Sequence, residues 1–110
     1  MPDKPSANLK PIMFAHRVHE LQTILNANGY ACALHGSMQR DIDVVAVPWT
    51  KNAVKAETLV KRICKQMGLT VSGGPTKKPH GRMAWSLLIE AIGFVDLSVM
   101  PRRVDKAHRR

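Results

Sequence analysis

The stretch His35-Gly36-Ser37-Met38-Gln39-Arg40-Asp41-Ile42-Asp43-Val44-Val45-Ala46-Val47 decides how this chain is read. A Gly-Ser turn leads into an Asp-Ile-Asp-Val-Val run. The run has the two-residue period of a strand. Asp41, Asp43, Val45 and Val47 fall on one face, and Ile42, Val44 and Ala46 on the other. Successive same-face residues in a strand lie about 6.5–7 Å apart. Two carboxylates at that spacing repel, and aspartate is depleted from strands. A shared divalent cation gives both acids a reason to be there.

Upstream, Tyr30-Ala31-Cys32-Ala33-Leu34 reads as a short buried strand. Before it, Pro11 suits a first helical turn, and Val18, Leu21 and Leu25 keep helical spacing across residues 12–28. Asn28-Gly29 is a helix stop. His16 and His19 share a helix face, but two histidines without a third ligand read as solvated or capping groups. Residues 1–10 read as a loose arm.

Downstream, Pro48 ends the Asp-Ile-Asp strand, and Trp49 stands just past it as a core or rim tryptophan or a base-stacking group. Thr50 is the expected N-cap of a helix over 52–67, with Leu59, Val60, Ile63, Cys64 and Met67 as its apolar stripe. Gly68 stops that helix. Leu69–Ser72 is a short strand candidate, and Gly73-Gly74-Pro75-Thr76-Lys77-Lys78-Pro79-His80-Gly81 reads as a loop. Two further strands follow. One runs from Arg82 to Ile89, with Met83, Trp85, Leu87 and Ile89 on one side. The other runs from Phe94 to Val99, with Phe94, Asp96 and Ser98 opposed to Val95, Leu97 and Val99. A basic tail begins at Arg102. The layout is a single α+β domain over 1–110: a small mixed sheet with two helices packed on one face, and loose ends at about 1–10 and 102–110.

The 110 residues carry a net charge of +9 with only eight acids, which suggests a polyanionic partner (nucleic acid, a nucleotide or an anionic surface), with plain solubility as the alternative reading. No apolar run is long enough to span a bilayer, and the N-terminus does not read as a signal peptide. Cys32 and Cys64 read as buried free thiols. A cytoplasmic protein without membrane contact is expected. Asp96 repeats the pattern of Asp41 and Asp43, an acid inside an apolar strand. If its strand lies beside that of Asp43, the three carboxylates meet on one sheet face and suit Mg²⁺ or Mn²⁺. Gly36 and Ser37 suit phosphate binding, and Arg40, Lys77 and Lys78 add positive charge.

Gly36-Ser37, Asp41-Ile42-Asp43-Val44 and Val95-Asp96-Leu97 together resemble the DNA polymerase beta-like nucleotidyltransferase superfamily, in particular its minimal members. The resemblance covers roughly residues 30–100. It implies that Asp41, Asp43 and Asp96 are catalytic and metal-binding, and that Gly36, Ser37 and Arg40 serve the nucleotide. It also implies a reaction: Mg²⁺-dependent transfer of a nucleotidyl group from a nucleoside triphosphate to a hydroxyl acceptor, with pyrophosphate leaving. The acceptor would be nucleic acid or protein. One departure is visible. The family places about a dozen residues, including a short helix, between the Gly-Ser and the acids, where this chain has Met38-Gln39-Arg40. That leaves a trimmed enzyme relying on a protein partner or a second copy, or a fold that binds without catalysis. The other readings are a basic nucleic-acid-binding or regulatory protein, its acids paired with Arg40 and Arg82, and a metal-dependent nuclease.

Overall fold

The computed structural model describes residues 9–36, 41–89 and 93–107. In chain order the elements are α1 (Leu9–Ala27), β1 (Tyr30–His35), β2 (Ile42–Pro48), α2 (Ala56–Met67), β3 (Thr70–Lys77), a 3₁₀ turn (Pro79–Gly81), β4 (Met83–Ile89), β5 (Gly93–Val99) and α3 (Arg103–Ala107). The strands form one mixed sheet in the order β1-β2-β5-β4-β3. β2 and β5 run parallel, and every other neighbouring pair is antiparallel. The fold is the expected α+β sheet with its two long helices on one side.

Strand alternation builds the core. Ile42, Val44 and Ala46 of β2, Val95, Leu97 and Val99 of β5, and Trp85, Leu87 and Ile89 of β4 all point to the covered side. They meet Val18, Leu21, Ile24 and Leu25 of α1 and Leu59, Val60, Ile63 and Met67 of α2 in a single cluster. α1 ends at Asn28, whose side-chain amide donates to the Ile24 carbonyl at 2.7 Å and whose Oδ1 accepts from Arg62 of α2 at 2.5 Å. Arg17 ties the helices at the other end, donating to the Met67 carbonyl at 2.6 Å. No helix among the described residues is long and apolar enough to cross a membrane.

Four local expectations change. α2 begins at Ala56, with Lys55 rather than Thr50 at its N-cap. Residues 49–54 instead wrap against the corner between α1 and β1. Trp49 N–H donates to the Gly29 carbonyl, Val54 N–H to the Asn28 carbonyl, and the Tyr30 hydroxyl to the Val54 carbonyl at 2.6 Å. These bonds consume the backbone groups that a longer helix would need. β1 is an edge strand, buried at Tyr30 but exposed from Ala33 to His35. β3 continues to Lys77, through the Gly73-Gly74-Pro75 run read as a loop, with irregularities in its pairing on both sides of Gly73. It lies at the other edge, where proline and a bulge are tolerated. Gly74 has φ +99°, and a Cβ there would stand 2.5 Å from the Ala84 carbonyl oxygen, so only glycine lets the edge lie this close to β4. The tail is helical from Arg103 to Ala107. Arg102 clamps it, with Nε and Nη2 donating to the two carboxylate oxygens of Asp105 at 2.9 Å each.

Candidate active site

The side of the sheet away from the helices carries the acids. The parallel register sets Asp43 directly beside Asp96, on strands about 4.8 Å apart. One row crosses the whole sheet at this level: His35 of β1 opposite Asp43, Asp43 beside Asp96, Asp96 opposite Ser86 of β4, and Ser86 opposite Gly73 of β3. Ser86 Oγ donates to Asp96 Oδ1 at 3.1 Å. Asp41 precedes β2, and its Oδ1 accepts the Phe94 N–H at 3.2 Å, which holds it at the start of β5. The expected adjacency of the two acid-bearing strands is present.

Gly36 closes the β1 side. Its φ is +82°, in the left-handed region, and a Cβ at that position would collide with the Asp43 carboxylate. The glycine therefore serves the acid directly. Ser37 and Arg40, the other nucleotide-binding candidates, lie outside the described residues.

The Asp43–Asp96 pair opens into a cleft of about 480 Å³, whose lining includes His35, Thr76, Lys78, Arg82, Ser86 and Ser98. That is a volume suited to a small ligand. Arg82 donates through Nε to the Pro79 carbonyl at 3.2 Å and through Nη1 to Ser98 Oγ at 3.4 Å. Among the described residues neither Arg82 nor any other cation forms an ion pair with Asp41, Asp43 or Asp96. The suggested structural pairing of the acids with Arg82 is therefore not seen. Burial, first, and then the charges of Asp41 and Asp43 raise the Asp96 carboxyl above its usual range, while the Ser86 hydrogen bond lowers it.

Among the described residues no three or more His, Cys, Asp and Glu side chains are arranged as a metal-holding group. Mg²⁺ is commonly held by one or two carboxylates together with substrate phosphates, rather than by an all-protein cage. The raised carboxyl of Asp96 beside Asp43 fits such a half-built site. The donors are hard oxygens, they repel one another, and among the described residues no ion pair joins them to a cation.

His35, Ser86, Ser98 and Thr76 were not singled out by the sequence. Ser86 was within reach, because it shares the outward parity of Ala84 and Leu88 on β4. Its partner across the sheet was not. Compared with protein-family models, curated proteins and solved structures, the chain gives no significant match.

Proposed function

We propose that this chain is a nucleotidyltransferase-like protein of the polymerase beta-like kind, acting on a nucleoside triphosphate and a hydroxyl acceptor. The observation that carries the reading is the placement of Asp43 and Asp96 side by side on parallel strands, facing an open cleft that also holds Lys78 and Arg82. Asp43 and Asp96, completed by the phosphates of the triphosphate and with Asp41 at the start of β5 adding charge, would hold Mg²⁺ or Mn²⁺, which would supply Lewis-acid stabilisation of the attacking and leaving oxygens. Asp96, beside the bound cation, would help take the proton of the acceptor hydroxyl. Lys78 and Arg82 attract the phosphates across the cleft. Gly36 keeps Asp43 pointing at the ligand. The unpaired Cys32 and Cys64, their thiols pushed up by burial, suit the reducing cytoplasm.

The test is pyrophosphate release from each of the four nucleoside triphosphates, with Mg²⁺ and single-stranded RNA or DNA as acceptor. Release that needs the cation and disappears in Asp43→Asn supports transfer. Cleavage of the nucleic acid without any triphosphate would instead identify a nuclease. A second reading, binding without catalysis, is favoured by the net charge of +9. It requires metal-independent nucleic-acid binding that survives Asp43→Asn.

A further inference from the structure

We propose that the far end of β2 is a docking platform for single-stranded nucleic acid, separate from the carboxylate cleft. Trp49 follows the last residue of β2 and is 68% exposed. Its backbone is fixed, because its N–H donates to the Gly29 carbonyl at 3.0 Å. The indole is thus presented on a rigid stem rather than on a loose loop. A groove of about 580 Å³ runs beside it, bordered by Lys51, Arg103 and Val104. A second hollow, shared through Arg103, reaches Lys106. Lys51, Arg103 and Lys106 are exposed and enter none of the ion pairs among the described residues. Arg102 differs. Its charge is taken by Asp105 and its Nη1 donates to the Ala53 carbonyl at 3.3 Å, so it fastens α3 against the Trp49 turn.

A flat aromatic face ringed by unspent cations matches one ligand chemistry. An unpaired base stacks on the ring while the flanking phosphates meet the cations. A duplex keeps its bases stacked inside and offers no face to the indole. An acidic peptide would satisfy the cations but leave the exposed ring unexplained. Six strand steps separate Trp49 from Asp43, about 20 Å, so a strand held here has its continuation near the acids. Only this last point, the platform as the acceptor's seat, rests on the transferase reading.

The experiment is fluorescence anisotropy of a labelled oligothymidylate of twenty residues, titrated with full-length protein over a series of salt concentrations, without Mg²⁺ or nucleotide. Trp49→Ala should weaken binding about 5- to 100-fold, as expected for one lost base stack, and Trp49→Phe should recover most of it. The double change of Lys51 and Arg103 to alanine should flatten the log–log salt slope by about 1.4. Trp49 is a surface group, so circular dichroism should show an unchanged fold. Quenching of tryptophan emission by the oligonucleotide in the unmodified protein is a second readout. Binding of Trp49→Ala within twofold of the parent, or a duplex held as tightly as the single strand, would overturn the proposal. Anionic lipid vesicles competing equally well would overturn it too. Pyrophosphate release is read in a separate assay with Mg²⁺ and triphosphate, so failure of the platform and failure of the transferase reading are told apart.

Discussion

The two faces of the sheet are built by the same strands and have opposite character. On the covered side, Ile42, Val44 and Ala46 of β2 and Val95, Leu97 and Val99 of β5 are all but inaccessible. One residue further along in each case, Asp43 and Asp96 stand on the open side. The difference teaches that the core and the candidate site are separated here by a single strand step. A substitution on one side should leave the property of the other nearly untouched. The strongest way to break that separation is Asp43→Asn. On the transferase reading it should lower pyrophosphate release about 10³-fold or more, since it removes several kcal/mol of charge stabilisation. Urea unfolding should show no loss of stability. A variant that unfolds would mean the acid supports the fold.

The converse change is Leu97→Ala, on the same strand but pointing into the core. Leu97 is 1% exposed and belongs to the buried core cluster. Its truncation should cost about 2–5 kcal/mol, a large part of the roughly 5–15 kcal/mol that holds a domain of this kind together. Chemical denaturation reads this directly. A loss below about 1 kcal/mol would show that the covered face is loosely packed.

Gly36→Ala probes the seam between the two sides. The left-handed backbone alone should cost about 1–2 kcal/mol with a side chain present. The added methyl group must also displace the Asp43 carboxylate. On the transferase reading, Mg²⁺-dependent nucleotide binding, followed by calorimetry, should therefore weaken by more than the stability loss accounts for. Equal binding in the variant would detach Gly36 from the site.

The parity of β2, β4 and β5 was legible because a half-buried strand writes its two faces into alternate residues. The acids stood out because they interrupt that apolar code. What was not legible depends on partners far away in the chain. Tyr30-Ala31-Cys32-Ala33-Leu34 is small and apolar enough for a central strand or an edge, and only the pairing order makes it an edge. Gly73-Gly74-Pro75 carries loop chemistry, yet β4 recruits it as strand through a close backbone approach. Thr50 is a good cap that α2 does not use, because the Asn28-Gly29 corner claims the neighbouring backbone groups. The contact of Ser86 with Asp96 follows from β4–β5 register, which no local pattern specifies.

The smallest expected effect is also the most direct measure of what the open face costs. Burial and the neighbouring acids raise the Asp96 carboxyl above its ordinary value of 3.8 in the folded chain. The native state then holds this proton more tightly than the unfolded state does. The associated stability is fully present below the unfolded value and is lost as pH rises through the folded one. At neutral pH Asp96 is therefore a burden on the fold. Asp96→Asn should melt slightly higher than the parent at pH 7, and the gap should close as pH falls toward the ordinary carboxyl value. Asparagine keeps an acceptor for Ser86, so the gap reports charge rather than a lost hydrogen bond. On the transferase reading, added Mg²⁺ should narrow the gap at pH 7 by stabilising only the parent. If scanning calorimetry finds no gap at neutral pH, the neighbouring carboxylates do not strain one another. A cation would then have nothing to relieve.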